Sequence, residues 1–372
     1  MGDNMIKYFK VKNYKNFQDE ITVDFSNPKD YRFNQSVIKN GLINKAVIVG
    51  DNSSGKSNLG LALFDITIHL VERQQIHQQH INYLNANSDE TLAYFEYCFL
   101  FGENEVLYKY RKKSSRELTY EELYVNNKKV FSYNFELGEG DLSGLDIVGL
   151  STLNLTFKDR KISIVRFIAT GADLPKDSVL NELMSFVSNM LWFRSLQQND
   201  YIGFKYGTDF IVQSIISNNW VKDFESFLNK VGINDKLEVI QEPNGEWQLY
   251  IKYDKRSLNF LTTASNGTLS LMLYFFWSKS FDRLSFLFID EFDAFYHFRL
   301  AEAIIKDVIE NKEVQAVFTT HNTYLLDNNI LRPDCYFNLL NGKLISFNDA
   351  TEKELREGHN LGKLYRQNEF QS

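Results

Sequence analysis

The chain has 372 residues, 44% hydrophobic and 24% charged, and its 41 basic against 48 acidic side chains give a net charge of −7. This is ordinary globular composition with ample material for a core, and the acidic balance excludes a globally basic nucleic-acid binder, leaving only a local basic face. Two cysteines, Cys98 and Cys335, exclude a disulfide framework and a four-cysteine zinc site, and the longest apolar run, 271–277, is too short for a bilayer, so a cytoplasmic chain with no membrane partner is expected.

From the N-terminus, residues 6–14 and 21–25 alternate apolar and polar side chains, the period-2 pattern of a half-buried antiparallel hairpin. Lys45–Val49 is a short apolar strand running into a glycine-bounded loop. Apolar residues at three- and four-residue spacing then predict a helix over 59–71. Strands return over 92–101, 105–112 and 122–125, separated by Gly102-Glu103-Asn104 and Asn126-Asn127, and predict an antiparallel sheet subdomain. Residues 177–192 and 209–231 read as helices, the first with Leu180, Leu183, Met184, Val187 and Leu191 on one face. Pro243-Asn244-Gly245 turns a hairpin between 237–241 and 247–253. The last third alternates helix 269–280, strand 284–289, helix 299–311, strand 315–319 and helix 322–328, which implies a parallel sheet. There is no sustained heptad pattern for coiled-coil arms.

The chemistry begins at Gly50-Asp51-Asn52-Ser53-Ser54-Gly55-Lys56-Ser57, which satisfies G-x-x-x-x-G-K-[ST] directly after a strand and directly before a helix. The two glycines let the backbone turn its N–H groups inward around phosphates. Gly50, Asn52, Ser53, Ser54, Gly55 and Asn58 are therefore candidate nucleotide contacts. Lys56 would bring a point charge to the β- and γ-phosphates, and the Ser57 hydroxyl would ligate Mg²⁺.

Phe286-Leu287-Phe288-Ile289-Asp290-Glu291 supplies the second half of such a site, an apolar strand ending in two adjacent carboxylates. Asp290 would hold Mg²⁺, and Glu291 would orient and deprotonate the attacking water. ATP and Mg²⁺ are thus the expected cofactors. A guanine reader of the form Asn-Lys-x-Asp is not supplied by Asn229-Lys230-Val231-Gly232.

Two more features narrow the class. Ala264-Ser265-Asn266-Gly267-Thr268 precedes a predicted helix, with Ser265 placed 25 residues before Asp290, and His321 follows a strand 31 residues after Asp290. With the P-loop and Asp290-Glu291, these resemble the ABC-type ATPase heads of the RecF/SMC-like branch, often called simply AAA ATPases, many of which serve bacterial anti-phage defence. The resemblance covers nearly the whole chain. Lys12-Asn13-Tyr14-Lys15-Asn16-Phe17 looks like the family's first hairpin, and Lys15 reads equally as a basic residue touching nucleotide, as in the resembling heads, or as a solvated loop lysine. Ser265 and Gly267 match the signature motif, with Asn266 replacing its first glycine. Asp293 to His297 match the D-loop region, and His321 matches the switch histidine, a γ-phosphate sensor. Gln197 and Gln198 read as a polar helix end, the alternative being the family's Mg²⁺-contacting glutamine, and residues 356–365 look like a common tail of the phage-defence members.

The resemblance implies an α/β, ABC-ATPase-like P-loop fold: a mixed, largely parallel sheet core, an antiparallel β subdomain and an inserted helical subdomain. The expected divisions are an N-terminal lobe over 1–175, a helical and hairpin insertion over 176–260, and a completing lobe over 261–372. It also implies a homodimer or higher oligomer in which two subunits sandwich two nucleotides. Ser265 and the N-terminus of its helix would face the γ-phosphate bound by the opposite subunit, where free N–H groups and the positive dipole end suit it.

Arg111, Lys112, Lys113 and Arg116, near Tyr108 and Tyr110, form the one dense basic cluster; it reads as a solvated hairpin, the alternative being a hold on nucleic acid. Only 51 of the 372 residues follow His321, so no TOPRIM-type nuclease domain is expected in this sequence. The expected function is an ATP-hydrolysing sensor or scaffold of an anti-phage complex, acting with a separately encoded effector such as a nuclease. The alternatives are a RecF-like DNA-repair clamp and a platform that binds ATP without turnover; Glu291 argues against the last.

Overall fold

The computed structural model describes residues 4–72, 81–150, 162–172, 174–175, 177–194, 201–203, 208–294 and 298–371. Two seven-stranded sheets frame it. In the central one, Met190–Arg194, Phe286–Asp290, Gln315–Thr320, Lys45–Val49 and Tyr336–Leu340 lie side by side and parallel, and Tyr201–Ile202 and Lys343–Ser346 close the edges antiparallel. Lys45–Val49, Phe286–Asp290 and Gln315–Thr320 are buried at every residue. That is why each carries an unbroken apolar stretch, 46–49, 286–289 and 316–318, instead of an alternation.

The second sheet is an antiparallel meander in the order Ile21–Asp24, Met5–Lys12, Ala93–Phe101, Asn104–Ser114, Glu117–Val125, Lys128–Asn134, Glu139–Asp141. Asn126 and Asn127 take φ of 50° and 62°, the left-handed pair that suits a two-residue hairpin turn. The fully buried Gln315 amide joins the two sheets, donating to Ile6 O (2.9 Å) and Ile43 O (3.2 Å) and accepting from Ile6 N (2.8 Å). A three-stranded sheet of Lys236–Gln241, Trp247–Lys252 and Ser257–Asn259 packs with helices Thr208–Ser217 and Val221–Lys230.

The opening hairpin, the Pro243-Asn244-Gly245 hairpin and the alternation of the last third as far as Thr320 are as expected. The structure corrects several other expectations. The helix expected over 177–192 ends at Ser188, and Met190–Arg194 is a strand of the central sheet. Met190, Leu191, Trp192 and Phe193 are all buried, and a short run apolar on every face does not distinguish a central strand from a buried helix turn. Within 176–260, Met190–Arg194 and the edge strand Tyr201–Ile202 belong to the central sheet. The helix expected over 59–71 begins earlier, as Lys56–Leu63, and breaks at Phe64-Asp65 before Ile66–Leu70. That over 209–231 is two helices, parted near Asn219 at φ 57°. Residues 322–328 form only a 3-10 turn, Thr323–Leu325, capped by the Asn322 side chain. Strands Tyr336–Leu340 and Lys343–Ser346 had no sequence expectation.

The basic cluster also reads differently in three dimensions. Lys112 is fully buried and pairs with Asp65 at 2.6 Å. Arg111 lies between the rings of Tyr94 and Tyr120. Arg111, Lys113 and Arg116 are exposed and keep the solvated character expected of that hairpin. Among the described residues no helix is long and apolar enough to cross a membrane.

Candidate nucleotide site

The parallel strands bring four loop-bearing ends to one edge of the central sheet. Val49 is in register with Thr320, Ile289 with Phe318, and Arg194 with Asp290. The carboxyl edge of a parallel sheet is where α/β folds place ligands, because each strand there releases its chain into a loop.

From Val49 the chain enters the P-loop, and the helix starts at Lys56 with Gly55 as its cap at φ 109°. A side chain is doubly excluded at Gly55: the backbone is left-handed, and a Cβ would lie 2.3 Å from Asn16 Nδ2. At Gly50 a Cβ would come within 2.6 Å of Leu339 O. The loop is fastened from outside. Asn16 donates to Ser54 O at 3.3 Å, and Asn58 donates to Asn16 Oδ1 at 2.7 Å. Asn16 is thus a loop-positioning residue that the sequence placed only in the opening hairpin, and Asn58, expected to contact nucleotide, spends its amide on it. Asn52 and Ser53 are exposed at the loop tip, while Ser54, Gly55 and Ser57 are half-buried.

Lys56 is buried, and its ammonium donates to Gly50 O (2.7 Å) and Asp51 O (3.0 Å). Burial pushes its pKa down, against the opposing pull of Glu291 and Asp290. Both carboxylates therefore lie within electrostatic reach of the P-loop lysine.

Asp290 is wholly buried. Its Oδ1 accepts from Thr319 Oγ1 at 2.7 Å, and that same oxygen of Thr319 accepts from Glu291 N at 2.7 Å. Thr319, on the neighbouring strand, thereby fixes both members of the Asp-Glu pair. Oδ2 of Asp290 is buried without a hydrogen-bond partner. Burial raises the carboxyl above its ordinary value, with the Thr319 and Ser57 hydroxyls and the Arg194 guanidinium pulling the other way. An orphaned, buried carboxylate oxygen beside a serine hydroxyl is a donor pair that fits a hard divalent cation. Among the described residues no cluster of three or more His, Cys, Asp or Glu could hold a metal by itself, so water or phosphate oxygens would complete the shell of such a cation.

Glu291 takes φ 46°, an uncommon conformation for a side-chain-bearing residue. Its Oε2 faces Arg194 Nη2 at 3.4 Å, and Arg194 Nε lies 3.5 Å from Asp290 Oδ2. Arg194 was missed as a site residue because its strand read as the end of a helix. The available signal was the likeness between Met190-Leu191-Trp192-Phe193-Arg194 and Phe286-Leu287-Phe288-Ile289-Asp290, two apolar runs each ending in a charge.

Beyond Thr320 the chain presents His321 at the surface. Thr320 Oγ1 donates to Asp293 Oδ2 (2.9 Å) and accepts from Asn322 N (2.8 Å). Asp293 is buried, which raises its pKa, while Thr320 and His321 oppose that shift. Ser265 and Gly267 stand apart. Ser265 is the exposed N-cap of helix Asn266–Ser278, accepting from Thr268 N at 3.2 Å. Lys15 bonds Ile81 O (3.3 Å) and not the P-loop. Gln197, Gln198 and His297 lie outside the described residues.

Residues 197–327, about a third of the chain, match the family model described as "AAA domain, putative AbiEii toxin, Type IV TA system". That match spans Ser265, Asp290, Glu291 and His321 but begins after the P-loop. Among solved structures, the chain is similar to an SMC head bound to the C-winged helix domain of ScpA, at 15% identity and TM-score 0.49, covering 92% of this chain and 98% of that one. It is similar to the SMC head domain from Thermotoga maritima, at 17% identity and TM-score 0.44, with 92% and 98% covered. The recombination mediator RecF with ATP gives 14% identity and TM-score 0.42, with 92% and 99% covered. A comparison with curated proteins gave no match. Identities this low say nothing about activity.

Proposed function

We propose that this protein is a Mg²⁺-dependent ATPase of the ABC-like head type. The observation that carries the reading is one cluster: a P-loop whose lysine feels Asp290 and Glu291, and a threonine on the adjacent strand that fixes both carboxylates. The P-loop N–H groups and Lys56 would bind the phosphates, and Lys56 would exchange its loop carbonyls for them. Ser57 and Asp290 Oδ2 would hold Mg²⁺, which when bound neutralises charge on the β- and γ-phosphates. Glu291, aimed by the bond from its own N–H to Thr319, would accept the proton of the attacking water. His321, exposed at the end of its strand, would meet the γ-phosphate.

The exposed, capped helix start at Ser265 and Gly267 supports the finer reading of a nucleotide-sandwich dimer, since a surface N-terminus is free to face a phosphate on another subunit. We take the biological role to be that of a sensor or scaffold in an anti-phage complex with a separately encoded effector. The AAA-domain match, to a family described as a putative toxin, is the support for this role. The DNA-clamp alternative has less support than the sequence offered, because Lys112 is buried against Asp65 and Lys113 is paired with Glu136, leaving a smaller basic face.

Calorimetry and phosphate release test the chemistry. Lys56→Ala should abolish measurable Mg·ATP binding. Glu291→Gln should bind ATP while turnover falls by about 100-fold or more, the ordinary worth of a positioned base. Equal ATP affinity in wild type and Lys56→Ala would sink the assignment.

A further inference from the structure

We propose that Arg194 reads the third phosphate of the nucleotide in cis and so sets the preference for a triphosphate over a diphosphate. The inference rests on the reading of this site as an ATP site and adds a residue that neither the P-loop nor the Asp-Glu pair supplies.

Arg194 ends a central strand in register with Asp290, so its position is held by the sheet and not by a loop. Its guanidinium reaches two carboxylates, Nε at 3.5 Å from Asp290 Oδ2 and Nη2 at 3.4 Å from Glu291 Oε2. Both contacts are long against the roughly 2.7–2.9 Å of a good charge-assisted bond. Nε of Arg194 and Oδ2 of Asp290 are each buried with no hydrogen-bond partner. A rigid fork of five donors is thus placed inside the site with most of its capacity unspent.

The geometry of charge says where that capacity belongs. Lys56 feels the same two carboxylates from the P-loop side, so the lysine and the arginine flank one patch of negative charge. Oδ2 of Asp290 is also the oxygen that fits a divalent cation, and two cations do not share one carboxylate oxygen without repulsion. A guanidinium displaced from Oδ2 needs another planar or tetrahedral oxyanion within reach, and its fork matches phosphate geometry. Lys56 accounts for the β–γ link, which leaves the terminal phosphate, on the carboxylate side, for Arg194. A diphosphate offers the displaced guanidinium no terminal oxyanion to accept its bonds.

The test is binding, not turnover. Wild type, Arg194→Ala and Arg194→Lys are titrated with Mg·ADP and with a Mg-bound non-hydrolysable ATP analogue, with Lys56→Ala as control. Arg194→Ala should weaken the analogue by about tenfold or more, the loss of a charge-assisted phosphate contact, and ADP by less than about twofold. Arg194→Lys, which keeps the charge without the fork, should lie between the two in analogue affinity. Equal weakening of both nucleotides would mean that Arg194 only props up the carboxylates, and it would overturn the inference, as would no weakening at all. Should Arg194→Ala not fold, the Arg194→Lys ratio decides: an unchanged ratio of analogue to ADP affinity overturns it. Lys56-dependent ADP binding with an unaltered ratio would sink Arg194 alone. Wild type that binds neither nucleotide would remove the site and the inference together.

Discussion

Asp290 shows how much of this site is set by one side chain and its surroundings. One oxygen is spent on Thr319, and the other is buried with no hydrogen bond, only the long ion pair to Arg194. A buried acid of this kind opposes folding when ionised, because burial raises its pKa above the ordinary 3.8. The folded state then holds the proton to higher pH than the unfolded chain does. Stability from this group is greatest below the unfolded pKa and falls as pH rises from about 4 through the folded value. Asp290→Asn should therefore be more resistant to urea than wild type at pH 7, and its advantage should shrink as the pH approaches 4. A constant gap across that range would show that Asp290 is not the group responsible. Glu291 adds a second local cost through its left-handed backbone, of the kind stored at functional sites. Residue identity was legible here from spacing, but the bond from Thr319 that unites the pair was not, since it crosses two strands.

At the scale of elements, the P-loop helix and the antiparallel sheet are tied by a buried network. Asp65, at the break after helix Lys56–Leu63, pairs with Lys112 at 2.6 Å and accepts from Tyr83 (2.8 Å) and Tyr110 (2.9 Å). Both partners of the ion pair are fully buried. Removing one leaves an uncompensated charge, which costs about 3–5 kcal/mol, whereas removing both does not. Lys112→Met should lose stability of that order in chemical denaturation. Lys112→Met with Asp65→Asn should recover most of it. If the double variant is as weak as the single, the pair is not the coupling element. The sequence offered Lys112 as part of a surface cluster because the period-2 pattern assigns a face without saying what covers it. The same limit explains Met190–Arg194, where helix and central strand share one apolar signature.

The whole molecule presents Ser265 on the surface, bonded only within its own turn among the contacts described, so its proposed role needs a second subunit. Ser265→Ala removes the cap and should cost about 1 kcal/mol of stability. Ser265→Asp keeps a capping acceptor but sets a negative charge where a phosphate would approach. It should fold as wild type and yet fail to dimerise with ATP, seen by light scattering. Mixing makes the trans geometry measurable: Lys56→Ala and Ser265→Asp protomers, each inactive alone, should regain ATPase activity together, because each mixed dimer keeps one intact composite site. Full activity of Ser265→Asp alone would show that this helix start takes no part in catalysis.

The sequence by itself determined the local chemistry: a phosphate loop between strand and helix, an acidic pair ending an apolar strand, and the hairpins marked by asparagine and glycine. These depend on neighbours in the chain, so spacing suffices to read them. Only the tertiary structure decided which strands lie side by side, and with that the placing of Arg194 beside Asp290, Thr319 beneath Glu291, Asn16 over the P-loop and Lys112 inside the core. Pairing of parallel strands is fixed by packing between segments far apart in sequence. A periodic pattern records which residues are buried but not against what.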